Sequence, residues 1–476
     1  MLRYNRFRPE TNLETHPGIP TRMFKPFCRV IASVFTFLGA FCIFSAPAVA
    51  QSLQLLQDTE TELALNSYEA PLAKAAGLDP NAVRVYLVDD PSVNAFVAEG
   101  QNIFMQTGII LYVHSRNELV GVMAHETGHI KAGHLSRDSA AMSKASIPII
   151  ASTIIGVAAM VLGAGRAGMA IMSAGQQIAE GQFTRFTYIQ EGTADQIAVK
   201  LLNATHQSPR GLLDVFNRFA NEEAMSGEQI PPYAQNHPVG RDRVAYLQSL
   251  VDASPYRDIK DSPSQMHAFE MVKAKLAGYV LPVEEVFNRY PLSDTSEAAR
   301  YARAMAYMRK PDFTSALSEI DSLIKDEPNN PFFYEVLGQI YITRSQPGEA
   351  VPAYQKSVDL LPTAPELRVE LAAAQLATDN TSLARPALAN LKLALQQGHE
   401  NEDTYAWFEE AQAYSELGNE PLANLATAER YYADDDGEKA KYFASQALRG
   451  LSQGTPDWQR ASDILTLSKA ERGDDE

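Results

Sequence analysis

The stretch Ser115-Arg116-Asn117-Glu118-Leu119-Val120-Gly121-Val122-Met123-Ala124-His125-Glu126-Thr127-Gly128-His129 decides how the first half of this chain is read. Ser115-x-x-Glu118 is a capping-box pattern, and Leu119, Val122, Met123 and Ile130 follow at helical spacing, so a helix starting at Ser115 is expected. On a helix, residues four apart lie one turn above each other. His125 and His129 therefore present two imidazole nitrogens to one cation. Glu126 borders the same point and can act on a water there. This is the HExxH arrangement of zinc-dependent hydrolysis.

Hydrolytic zinc needs three protein ligands and an open fourth position. A histidine six residues after His129 is excluded, because position 135 is Leu. His134, at five, is expected on another face. A glutamate on a downstream helix is the remaining common solution. Glu191 lies 62 residues after His129 on a helix predicted over about 183–203, and Asp195 is one turn further on. Asp195 is placed to orient a ligand imidazole.

Before the metal helix, residues 58–76 read as a helix with a break or kink at Pro71 and an end at Gly77. Val83–Val88 reads as a strand, and Ser92–Ala98 and Asn102–Ile110 as a hairpin about the turn at 99–102. After it, residues 147–179 are apolar and rich in Gly, Ala, Ile and Met; 147–162 carries no charge. That is short for a membrane span. A helical hairpin over about 146–180, serving as a lid or touching a membrane surface, is the expectation.

The N-terminus reads as an address. Arg22, Lys25 and Arg29 precede an apolar run from Val30 to Phe44, and Ala48-Val49-Ala50 supplies a small-x-small cleavage site before Gln51. A cleaved signal peptide over 1–50 is expected, with an uncleaved anchor the alternative; Met23 is a second candidate start. Both cysteines, Cys28 and Cys42, fall in that segment, so the mature chain suits an oxidising compartment. The whole chain of 476 residues carries 58 Asp+Glu against 41 Lys+Arg, net −17. Residues 1–50 hold six bases and two acids, so the remaining 426 hold 35 and 56, net −21. There is no surplus of cations to neutralise nucleic-acid phosphates.

From about Asp294 a 34-residue period appears. Ala304, Gly338 and Ala372 share it, as do Ala316, Ala350 and Ala384, Pro328 and Pro362, and Tyr307 and Tyr341. A fourth copy arrives five residues late, at Ala411, Tyr414 and Ala423, after an insertion near Gln397–Asn401. Small residues where helices cross, with Pro after the second helix, resemble the tetratricopeptide repeat. Such arrays stack into a superhelix with a concave binding face. The expected domains are 51–250 around the metal helix, a connector of unassigned structure over 251–293, and the array over 294–470.

One further string completes the pattern. His125-Glu126-x-x-His129, Glu191-x-x-Ala194-Asp195 and His237-Pro238-x-x-x-x-Arg243-Val244, with Asn94-Ala95-Phe96, Gly100 and Thr107-Gly108 upstream, resemble the M48 family of zinc metalloendopeptidases over about 58–250. With a signal peptide and repeats, the chain resembles its periplasmic branch, which degrades or assists outer-membrane β-barrel proteins. The resemblance implies an α+β zincin-like domain, mostly helical with a small sheet, followed by the all-α repeat superhelix. It implies one Zn2+ per chain on His125, His129 and Glu191, Glu126 as general base, and Asp195 supporting the ligands. Asn94, Ala95 and Phe96 match the strand beside the cleft, and Arg243 lies near the site. It leaves His237 two roles, stabilising the oxyanion or occupying the fourth zinc position in a latent enzyme. Clients would be unfolded or misassembled outer-membrane proteins and their assembly machinery, recruited by the repeats. The competing reading is a mostly latent protease acting as a chaperone-like module. Two positions depart from the family: Tyr188 stands where Arg is usual, and Asn236 where Ser or Thr precedes the His-Pro pair.

Overall fold

The computed structural model describes residues 3–7, 53–98, 100–134, 151–155, 165–226, 231–397 and 403–470. A small mixed sheet comprises β1 (Arg3–Phe7), which falls in the segment expected to be removed, and β2 (Leu53–Gln57), β3 (Arg84–Val88), β4 (Ala95–Ala98) and β5 (Asn102–Gln106), in the order β1-β2-β3-β5-β4. Only β3 and β5 run parallel; β4 pairs with β5 antiparallel, Ala95 opposite Met105. Helix α1 (Thr59–Ala76) is capped by Asp58, whose carboxylate accepts from Thr61 N–H, and ends at Gly77 with φ 73°. A glycine at that left-handed position closes the helix. Pro71 does not break it. Leu65, Tyr68, Leu72, Ala73 and Ala76 bury one stripe in the core, and that packing outweighs the single backbone bond Pro71 cannot make.

The hairpin expectation fails at one end. β5 stops at Gln106, and Thr107–Tyr112 forms a short helix, α2. The hydroxyl of Thr107 donates to Asp90 O at 2.8 Å, and Gly108 N–H donates to the same carbonyl at 3.1 Å. A Cβ on Gly108 would sit 2.2 Å from the carbonyl oxygens of Pro91 and Ser92. This close approach turns the chain inward and buries Ile109 and Ile110.

Helix α3 (Arg116–Ala132) carries the HExxH string. Ser115 caps it, accepting from Glu118 N–H, while the Glu118 carboxylate accepts from His114 N–H rather than from Ser115 and also pairs with Arg218 at 2.8 Å. Helix α4 (Gly165–Ala204) is one continuous element of 40 residues. It therefore joins the end of the expected apolar hairpin to the helix expected only from Phe183. Most of 146–164 lies outside the described residues. Among the described residues no helix is long and apolar enough to cross a membrane. Three helices close the unit: α5 (Arg210–Ser226), α6 (Pro232–Asn236) and α7 (Arg241–Asp252). One core, from Leu56 through Phe219 to Ala277, underlies all of them.

The connector is helical. α8 (Pro263–Val280) opens with a complete Ser262/Gln265 capping box and is followed by α9 (Val283–Arg289). α8 places Phe269, Leu276 and Ala277 in the first core and Met271 and Tyr279 in the first repeat core. It is thus a shared wall rather than a tether. Half-exposed His267 on α8 pairs with Glu297 at 3.3 Å and Glu327 at 3.8 Å, a surface contact of at most about 1 kcal/mol.

Five helical pairs follow: α10 (Glu297–Arg309) with α11 (Phe313–Asp326), α12 (Pro331–Thr343) with α13 (Pro347–Leu360), and α14 (Pro365–Leu376) with α15 (Ala384–Gln396). The last two are α16 (Thr404–Glu416) with α17 (Glu420–Ala433) and α18 (Gly437–Gly450) with α19 (Pro456–Ala470). Ala304, Ala316, Ala350, Ala372 and Ala384 have no exposed surface. A Cβ on Gly338 would meet the Tyr354 ring at 2.7 Å, so the small residues stand where helices touch. The fifth pair extends beyond the four copies legible as a period.

Candidate metal centre

α3 and α4 pack side by side and place the ligand candidates face to face. Close approach is possible because residue 128 is glycine: a Cβ there would lie 2.7 Å from Ala194 O. His125 Nε2 and His129 Nε2 are 3.0 Å apart. Glu191 Oε2 is 3.3 Å from the first, and Glu191 Oε1 is 3.5 Å from the second. Tetrahedral zinc with ligands at ~2.0–2.1 Å requires ligand atoms about 3.3 Å apart. His237 completes the set, its Nδ1 3.3 Å from His125 Nε2 and 3.1 Å from Glu191 Oε2. The donor atoms of all four residues lie within 4.8 Å of one another. Lone pairs that converge so closely are held together by a shared cation or by protons. The distances and the donor chemistry fit a zinc ion.

The surroundings orient these donors. Asp195, fully buried, takes a two-point contact from Arg243, Nε to Oδ2 at 2.7 Å and Nη2 to Oδ1 at 2.8 Å. Its Oδ1 lies 3.0 Å from His125 Nδ1. Arg243 is itself buried over the Phe216 ring at 4.6 Å. Its Nη1 reaches Glu191 Oε2 at 3.0 Å and the carbonyls of His237 and Pro238 at 3.2 and 3.1 Å. One guanidinium therefore ties Glu191, Asp195 and the His237 turn together. Tyr188, which departs from that pattern, is half exposed on α4.

Charge follows from burial and neighbours. Burial pulls the His125 imidazole down, but Asp195 and Glu191 outweigh it and raise its pKa to about 9. Burial, and then the charge on His125, push His129 well below its ordinary value. Burial pushes Glu191 up, yet His237 and His125 hold it well below the usual carboxylate range. Burial raises Glu126 against the pull of His237 and His125. The two carboxyl groups are thus shifted in opposite directions by their surroundings.

Two residues make contacts that the spacing of the chain does not show. His134 stays outside the donor set, as expected, but supports it from behind. α3 ends at Gly133 with φ 65°, which turns the chain back and sets His134 Nδ1 3.0 Å from His129 Nδ1. That contact leaves Nε2 of His129 for the cation. Tyr233, fully buried on α6, places its hydroxyl 3.1 Å from Glu126 Oε1 and stacks on the His237 ring at 4.5 Å. Nothing in the spacing of the chain marks it. The residues expected along the cleft are close by: Ala95 and Phe96 lie on β4, which among the described strands pairs only with β5. Asn94 precedes them and accepts from Asn236 Nδ2 at 3.4 Å, so the unusual Asn reaches the cleft strand. Phe96 stacks on Phe104 at 5.1 Å.

Residues 60–251 match the model of Peptidase family M48. Over that stretch the chain is similar to the metallopeptidases of family M48. The chain is similar to known proteases well beyond the site. The Beta-barrel assembly-enhancing protease of Escherichia coli (strain K12) is 22% identical over 411 residues, 85% of this chain and 82% of that protein. The Putative beta-barrel assembly-enhancing protease of Vibrio cholerae is 25% identical over 292 residues, 58% of each chain. Among solved structures, MamA is similar over 36% of this chain and 94% of its own, at 20% identity and a TM-score of 0.28. His125, His129 and Glu191 form a metal site of the kind M48 peptidases use.

Proposed function

We propose that this chain is a periplasmic zinc endopeptidase that acts on unfolded or misassembled outer-membrane β-barrel proteins. The observation that carries the chemistry is the convergence of His125, His129 and Glu191 beside the buried carboxylate of Glu126. When bound, zinc would polarise the scissile carbonyl and acidify the attacking water. Glu126 takes the water's proton and later gives it to the leaving amine. Arg243 and Asp195 hold the ligand set in place. The open side of β4 at Asn94, Ala95 and Phe96 takes an extended substrate strand by main-chain hydrogen bonds.

The resting arrangement supports latency. His237 Nδ1 stands at the fourth corner of the donor set, where a water must sit for hydrolysis. Displacement of His237 is then the activating event, after which its ring is free to stabilise the oxyanion. The chaperone-like alternative keeps this closed form throughout. The client and the compartment rest on the apolar leader at 30–44, the relatives named above and the helical array. Residues 51–250 serve as the peptidase unit, 146–180 as its lid and 294–470 as the client-recruiting array, with 251–293 joining them. Ile154, Ile155, Met169 and Ile178 are exposed on the described part of the lid, which suits contact with a client or a membrane surface.

The test is cleavage of casein and of an unfolded β-barrel protein by the zinc-loaded mature chain. Glu126→Gln should bind one zinc per chain and lose at least ~10²-fold in rate. His237→Ala should cleave faster than the wild type. Cleavage by Glu126→Gln at the wild-type rate would refute the base assignment. Absence of zinc and cleavage in every form would leave only the binding role.

A further inference from the structure

We propose that Tyr233 is a positioning residue for the hydrolytic step: its hydroxyl fixes the Glu126 carboxylate so that one oxygen alone serves as the base. The proposal rests on Glu126 being that base. Glu126 Oε1 accepts from the Tyr233 hydroxyl at 3.1 Å, and His237 Nε2 is 3.7 Å from the same oxygen. Glu126 Oε2 is buried and accepts no hydrogen bond among the described residues. The two oxygens of one carboxylate are thus made unequal. Oε1 is tied down, and Oε2 is left as the acceptor for a water's proton.

The anchor itself is held from several sides. Tyr233 N–H donates to Val93 O at 3.0 Å, just before the cleft residues Asn94–Phe96. Its ring packs against Phe219 at 5.5 Å and stacks on His237 at 4.5 Å. A fully buried phenol with its ring fixed on two faces has one place to put its hydroxyl. When His237 leaves the donor set that stack is lost, but the backbone anchor on Val93 and the Phe219 contact still hold Tyr233 against Glu126. The base therefore stays aligned in the activated form.

Tyr233→Phe removes the hydroxyl and keeps the ring. It is assayed in the wild-type and His237→Ala backgrounds with a fluorogenic peptide, alongside zinc affinity by chelator competition and the melting midpoint. We expect kcat to fall about 10- to 100-fold, the loss typical of a misaligned catalytic group. KM, zinc affinity and melting midpoint should stay at their parent values. Replacing Tyr233 with 3-fluorotyrosine, which retains the hydroxyl, should restore most of the rate. A merely structural role would lower the melting midpoint without this split. An unchanged kcat, or a raised KM with kcat retained, would overturn the proposal while Glu126→Gln remained inactive. Cleavage by Glu126→Gln would overturn the base assignment and this proposal together.

Discussion

At the scale of single residues, the centre depends on charges that cannot be removed one at a time. Asp195 faces His125 Nδ1 on one side and carries the Arg243 guanidinium on the other. Partners behind a metal-binding imidazole fix its orientation and basicity. Asp195→Asn should therefore weaken zinc binding about 10- to 100-fold, read by competition with a chelator at pH 7.5. The same variant leaves Arg243 buried without its counter-charge, so the melting midpoint should also drop. Zinc affinity equal to the wild type would show that Asp195 serves Arg243 alone. His129 has a different support, the imidazole of His134 at 3.0 Å, so the two helical ligands are oriented by chemically distinct groups.

At the scale of elements, the site is a consequence of how closely α3 can lie against its neighbours. Gly121 and Gly128 are two turns apart on that helix. A Cβ at Gly121 would meet Leu212 N at 2.6 Å, and one at Gly128 would meet Ala194 O at 2.7 Å. Each glycine admits a neighbouring backbone, α5 at the first and α4 at the second. Glycine weakens a helix interior by about 1 kcal/mol relative to alanine, and here close packing outweighs that loss. Gly128→Ala should destabilise the protein by about 1–3 kcal/mol through overpacking against backbone, measured by urea denaturation. It should also push Glu191 away from the two histidines and lower zinc affinity. An alanine at 128 that raised stability, as helix propensity alone predicts, would refute the close-packing argument.

At the scale of the whole molecule, the repeat array and the domain that carries the metal centre are joined through buried charge. Lys275 on α8 has no exposed surface and lies 2.6 Å from Asp58, 3.0 Å from Glu335 and 3.6 Å from Glu60. Tyr301 donates to Glu60 at 2.8 Å, and Gln339 donates to Glu335 at 3.1 Å and to Glu370 at 3.2 Å. One ammonium thus faces three carboxyl groups, drawn from the start of α1 and from α12. Burial raises Glu60 to about 7 and Glu335 to about 8 from 4.5. Groups with a raised folded pKa stabilise fully below their unfolded pKa, and that stability is lost as pH rises through the folded value. The junction should therefore weaken as pH rises from about 5 to about 8. Glu335→Gln removes one such group, so the fall in melting midpoint across that window should be shallower by on the order of 5 °C. An unchanged slope would place the pH dependence elsewhere. The same helix α1 carries Glu69, which accepts from Thr127 of the HExxH helix at 2.8 Å. A single helix therefore touches both the array junction and the metal helix.

What the linear chain determined was local. The two histidines and the glutamate of α3 are legible because a helix brings residues four apart together. The 34-residue period is legible because small residues recur at every helix crossing. What only packing decided lies far apart along the chain or depends on one backbone angle. Tyr233 meets Glu126 across 107 residues, His237 meets His125 across 112, and Tyr301 meets Glu60 across 241. Gly133 turns His134 back onto His129, and the crowded Gly108 ends a strand that alternation alone would continue. Pro71 sits in an unbroken helix, and the connector became a wall shared by two cores. Periodicity records which face of an element is buried; it carries no record of which distant element covers that face, and the covering elements are what set the charges at this centre.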